Sequence, residues 1–88
     1  MKKFLHVGFN TTKPRVQEWK TLFNQATDWL RYAPNCWILY TGRSPQSWYE
    51  LIKPQLQEGE DVFICELVIT NRQGWLPKNA WDWVKKSR

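Results

Sequence analysis

Residues 28–41 run DWLRYAPNCWILYT, two β-type segments on either side of Pro34-Asn35. The segments are rich in aromatic and β-branched side chains, which fit a pleated sheet surface. Proline presets φ and asparagine tolerates turn geometry, so the pair between them marks a tight reversal. This is the signature of a β-hairpin. The second segment, Cys36 to Thr41, is almost wholly apolar, as expected of an interior strand, and Gly42 stops it. If residues 28–34 pair with it, the sheet has four strands. If they stay helical or irregular, it has three. The four-strand reading is the one adopted.

Upstream of the hairpin, Phe4 to Phe9 is a short apolar run that reads as a first strand. Thr11-Thr12-Lys13-Pro14 follows as a helix start, with a hydroxyl near the cap and proline in the first turn. Val16, Trp19, Leu22, Phe23 and Ala26 recur at spacings of three and four, the apolar stripe of an amphipathic helix. Downstream, Ser44-Pro45 opens a second helix with a hydroxyl cap and proline at the first helical position. Trp48, Leu51, Ile52 and Leu56 form its apolar side, and Pro54 is expected to end or kink it at Lys53. Residues 61–70, DVFICELVIT, carry the strongest strand signal in the chain. Phe63, Cys65, Leu67 and Ile69 take one face and Val62, Ile64, Glu66 and Val68 the other. Both faces are largely apolar, so this strand is expected to be covered on both sides, by the helix layer and by either the C-terminal tail or a second subunit. In the tail, Trp75-Leu76-Pro77 is expected to dock, and residues 78–86 to form a short helix with Trp81 and Val84 inward.

The order strand, helix, strand, strand, helix, strand predicts an α+β, ferredoxin-like βαββαβ sandwich. Two helices lie on one face of a four-stranded antiparallel sheet of order 4-1-3-2, followed by a tryptophan-rich C-terminal tail. Residues 1–88 make one domain, with 3–70 as its core and 71–88 as the tail. A chain of this size has little interior, so most of its seven tryptophans are expected to fill the core.

No stretch approaches the ~20 apolar residues that span a bilayer, and MKKFLHVGFN lacks the apolar run and cleavage site of a signal peptide. Two cysteines are too few for a disulfide framework. A cytoplasmic protein that does not engage membranes is expected. Cys36 and Cys65 fall on strands flanking the first one, beyond disulfide reach, and read as small packed side chains.

The net charge is +5, unevenly spread. Residues 1–43 hold seven bases and two acids, and residues 71–88 five and one. Residues 44–70 hold Glu50, Glu58, Glu60, Asp61 and Glu66 against Lys53 alone. A basic surface suits DNA or RNA, and the candidate contacts are Arg31, Arg43, Arg72, Lys78, Lys85 and Lys86, with Arg88 beyond them. Aromatic side chains on the open sheet face are placed to stack bases, although basic groups beside tryptophans equally suit cation–π contacts that hold the tail down. The lone histidine, His6, reads as structural, and the turn carboxylates Glu58, Glu60 and Asp61 as solvated. The four glycines are isolated, so there is no glycine-rich phosphate loop. No nucleophile has a base at a recognisable spacing, so no catalytic residue, metal site or cofactor is assigned.

Taken together, FLHVGFN, the hairpin WLRYAPNCWILYT, the Ser44-Pro45 helix entry and the acidic lead into EDVFICELVIT resemble the SinR-like proteins. These are relatives of the small CRISPR-associated adaptation protein of the Cas2 type and of virulence-associated protein D. The resemblance covers residues 3–70. It implies a ferredoxin-like subunit that pairs into a homodimer through its sheets or last strands; the candidate interface residues are Val62, Ile64 and Val68 there, and Trp75 and Trp81 in the tail, which goes beyond the common pattern. Catalytic relatives carry an aspartate at the end of the first strand, where this chain has Gly8-Phe9-Asn10, and no other acid lies near that point in sequence. The expectation is a non-catalytic dimeric module that binds nucleic acid, or a protein that handles it, through basic termini. The alternatives are a protein-interaction factor, such as a small phage or mobile-element inhibitor, and a divalent-metal nuclease of toxin type.

Overall fold

The computed structural model describes residues 1–88. Its elements are β1 (Lys3–Asn10), α1 (Val16–Phe23), β2 (Asp28–Ala33), β3 (Cys36–Thr41), α2 (Pro45–Ile52) with a 3₁₀ turn at Lys53–Gln55, β4 (Asp61–Leu67) and α3 (Lys78–Lys85). The four strands form one antiparallel sheet of order β2-β3-β1-β4. The hairpin of residues 28–41 is present, with a register shift between Arg31 and Ala33.

Strand alternation sorts the sheet into two faces. Leu5, Val7, Trp37 and Leu39 point to one face and meet Trp19, Leu22 and Phe23 of α1 and Trp48 and Ile52 of α2. This is the main core. Trp37 lies edge-on to Phe23 at 5.0 Å, and Phe9 stacks on Trp19 at 4.4 Å. Burying each such ring removes roughly 150–250 Å² from water, about 4–6 kcal/mol as an upper bound. The indole N–H of the buried Trp48 is satisfied by Thr41 Oγ1 at 3.2 Å.

The opposite face carries a second, smaller cluster. Leu30 of β2 packs with Ala80 and Val84 of α3, rimmed by Tyr32, Ile69, Leu76, Trp81 and Trp83. The tail therefore supplies a third helix and covers the β2 side of this face.

Four expectations are corrected. First, α1 starts at Val16, with Arg15 as its cap residue and no side-chain cap. Of the two hydroxyls expected near the cap, Thr11 is engaged elsewhere: its Oγ1 accepts from Lys13 N–H and donates to Glu60. Second, β4 stops at Leu67 instead of Thr70: its pairing with β1 ends at Phe4↔Leu67, and Ile69 packs in the tail cluster. Third, the tail does not cover the open face of β4: Phe63 is 67% exposed, because α3 packs against Leu30 of β2 at the far edge of the sheet. Fourth, Trp75 does not dock and is 98% exposed, while its neighbour Leu76 makes the contact. At α2 the reading holds: Ser44 Oγ accepts from Ser47 N–H at 3.1 Å, Pro45 is the first helical residue, and the regular helix ends at Ile52.

Candidate nucleic-acid interface

The tail positions its own basic groups through local contacts. After β4 the chain folds back where Arg72 Nη1 donates to the Ile69 carbonyl at 2.9 Å. Leu76 then anchors it, and α3 begins after Pro77. In α3, Lys78, Trp81 and Lys85 stand three and four residues apart and so share one stripe. Lys78 pairs with Asp82 across one turn at 2.9 Å. Arg72, Gln73, Gly74, Trp81 and Lys85 line a cleft of about 260 Å³. An added Cβ on Gly74 would lie 3.9 Å from the Trp81 ring, so the loop backbone passes close over the indole edge. The cleft is smaller than the ~300–1,000 Å³ of a pocket that encloses a ligand, and suits part of a longer chain. Trp75, fully presented to solvent, follows Gly74 directly.

Two of the six candidate bases thus come together, Arg72 and Lys85 in the cleft, while Lys78, one turn before Trp81 on the same stripe, stays outside its lining and pairs with Asp82. The other three lie elsewhere. Arg31 pairs across from Trp37 and so points to the α1/α2 face, where its guanidinium donates to the Pro34 carbonyl at 3.1–3.2 Å. Arg43 bonds Ser47 Oγ at 3.1 Å and lies over Trp48. Lys86 stands 3.9 Å from Asp28. Arg88 is a clamp: its guanidinium lies 4.4 Å from the Trp83 ring centre and 4.9 Å from that of Tyr40. It donates to Asp28 Oδ2 at 3.1 Å and to the Trp83 carbonyl at 3.3 Å. Basic groups that hold the tail down are therefore real: Lys86 and Arg88 do so apart from the cleft, and Arg72, bonded to the Ile69 carbonyl, does so at its rim.

The candidate interface residues do not form one surface either. Val62 and Ile64 line a groove with Pro45, Gln46 and Tyr49 beside α2. Val68 and Trp75 stand exposed. Trp81 belongs to the tail cluster and the cationic cleft.

At the end of β1, register brings an acid that the linear sequence hides. Asn10 pairs with Asp61, and Asn10 Nδ2 donates to Asp61 Oδ2 at 3.0 Å. Adjacent Glu60 is engaged by Arg15 at 2.6 Å and by Gln57 N–H and Thr11 Oγ1, with only 6% of its side chain exposed. The Arg15 guanidinium, with those two donors, holds its carboxyl below the usual range. Of the three turn carboxylates, Glu60 is thus a structural anchor. No group of three or more His, Cys, Asp or Glu side chains comes together with metal-site geometry.

His6 lies on the face shared with α3. Its Nε2 is 2.5 Å from the Tyr32 hydroxyl, and burial pulls its pKa below the ordinary value. Burial, with the neighbouring Cys36 thiol, pushes Tyr32 up to about 12. Cys36 and Cys65 are free thiols, opposite Gly8 and His6 respectively. No helix is long and apolar enough to cross a membrane.

No protein-family model, no curated protein and no solved structure matches this chain.

Proposed function

We propose that this chain is a non-catalytic module that binds single-stranded nucleic acid through the tail cleft. The observation that carries this reading is the convergence of Arg72, Lys85 and Trp81 in one cleft, with Trp75 fully exposed beside it. Cations neutralise phosphates, while an indole face accepts any base, a pairing suited to strands with unstacked bases. The reading includes a ferredoxin-like scaffold of the SinR type, supported by the strand order, which runs 4-1-3-2 from the β4 edge. It includes a cytoplasmic setting. Asn10 at the end of β1, bonded to the one acid that reaches it, favours binding without cleavage.

Fluorescence anisotropy with labelled single- and double-stranded DNA and RNA tests the proposal between about 50 and 200 mM salt. Two phosphate contacts, from Arg72 and Lys85, give a log–log salt slope of about −1.4 on single strands. Arg72→Glu and Lys85→Glu each flatten that slope and weaken binding, Lys85→Glu with the melting temperature held. Trp75→Ala costs ~1–3 kcal/mol of binding if a base stacks there. Absence of binding at low salt overturns the proposal. So does binding that ignores all three substitutions.

A second reading, a protein-interaction factor, is favoured by one observation elsewhere in the molecule: the open edge of β4.

A further inference from the structure

The two edges of the sheet are not alike. At the β2 edge the ladder is interrupted by a register shift, α3 packs against the strand, and Arg31 folds onto the Pro34 carbonyl. A bulge, a covering element and a charged side chain are devices that keep an edge from pairing with another chain. The β4 edge has no bulge and no cover. Its ladder with β1 is regular over seven consecutive pairs, from Phe4↔Leu67 to Asn10↔Asp61. The strand, DVFICEL, contains no lysine, arginine or proline. Every second residue of an edge strand turns its N–H and C=O away from its one partner, so β4 offers an unused hydrogen-bonding row.

What lies on either side of that row specifies an occupant. The middle of the strand is apolar on both faces. Phe63 stands 67% exposed on one face, and Val62 and Ile64 form a groove of about 280 Å³ with Tyr49 and Pro45 on the other. The two ends are acidic: Asp61 opens the strand and Glu66 lies near its close, both exposed. Glu50 and Glu58 are exposed nearby in sequence. None of these four carboxylates takes part in any of the four ion pairs of the fold. Lys53, the single base between residues 44 and 70, lies over the Tyr49 ring at 5.8 Å. A second copy pairing through β4 would add two more strand carboxylates to these two, with no base on either strand. Like charges brought together in a ladder are destabilising.

We infer that the β4 edge accepts an extended cationic peptide segment of a partner protein, added as a fifth strand. The segment has an apolar centre of about four residues, seated against Phe63 on one face and Val62 and Ile64 on the other. Lysine or arginine flanks that centre on both sides, facing Asp61 and Glu66. Main-chain hydrogen bonds hold the segment, and the pattern of side chains selects it.

The test is an amide NMR titration of the full chain with two capped octapeptides. One reads Lys-Arg-Val-Thr-Ile-Val-Lys-Arg, and the other has glutamate at each of its four basic positions. The basic peptide is expected to shift and protect the amides of residues 61–67 in a saturable, salt-sensitive way, with the acidic one at least about tenfold weaker. Glu66→Lys, at an exposed position without an ion-pair partner, is expected to reverse that preference with the melting temperature unchanged. Arg72→Glu with Lys85→Glu is expected to leave peptide binding as it was, so failure here and failure of the nucleic-acid proposal are separable. Equal binding of both peptides, shifts confined to other strands, or concentration-dependent protection of β4 without peptide each overturn the inference. The last result would assign the edge to a second copy of the chain.

Discussion

Trp37 and Phe63 show how one residue type reaches opposite fates. Both are large aromatics in apolar strands, yet Trp37 is 1% exposed between the sheet and α1 while Phe63 is 67% exposed at the uncovered edge. Trp37→Ala is expected to cost ~3–5 kcal/mol in urea unfolding, and Phe63→Ala no more than about 0.5 kcal/mol. A large loss at Phe63 would mean that its face is covered in solution. The ionisable residues give a pH dependence with a fixed sign. His6 has its folded-state pKa depressed by burial, so the unfolded chain takes up the proton first as pH falls. Its contribution is complete above the ordinary 6.5 and is lost as pH falls from there through the folded value. Glu60 is also depressed, by Arg15 first and then by Gln57 N–H and Thr11, and its contribution is lost below the ordinary 4.5. Unfolding free energy measured against pH should show both limbs. His6→Gln should remove the upper one and Glu60→Gln the lower.

At the level of elements, what the sequence announced locally is what the structure holds locally. The Ser44-Pro45 entry fixes α2 with one side-chain cap, and Ser44→Ala should cost about 1 kcal/mol. The start of α1 differs from the sequence expectation because two uses compete for the hydroxyls of Thr11-Thr12. The sequence suggests one near the helix cap, but Glu60, 49 residues from Thr11, engages Thr11. Only the spatial neighbour decides between them. α3 has no side-chain cap, and at eight residues it is too short to persist alone. Packing of Ala80 and Val84 on Leu30 and the Arg88 clamp hold it instead. Arg88→Ala is therefore expected to lower stability by ~1–2 kcal/mol, from the lost cation–π contacts and the charge-assisted bond to Asp28. Hydrogen exchange should quicken in α3 before the sheet. Equal exchange in variant and parent would show that the apolar contacts suffice.

Across the whole molecule, the charge asymmetry of the sequence becomes a division of labour between surfaces. The bases of residues 71–88 split into clamps on Asp28 and a cleft around Trp81, while Asp61 and Glu66, in no ion pair, stand exposed on the free edge strand β4. The proposed strand-binding cleft and peptide-binding edge thus carry opposite charge. Raising salt is expected to weaken both ligands, with a steeper loss for nucleic acid, whose binding releases condensed counterions.

The sequence by itself determined the elements. Apolar periods of two and near 3.6, with proline and hydroxyl residues between them, placed all four strands and both main helices, because backbone geometry forces those periods on any chain that buries one side. It also located the tail helix and the candidate bases. Which faces are covered emerged only in three dimensions. The predicted order 4-1-3-2 already puts DVFICEL at a sheet edge, but its two-sided apolar pattern points to cover on both faces, so the exposure of Phe63 could not be read from it. The meeting of Asn10 with Asp61 depends on register across 51 residues, and the gathering of Arg72, Trp81 and Lys85 on the docking of α3. Periodicity is a property of neighbours along the chain, whereas edges, clefts and ion pairs belong to neighbours in space.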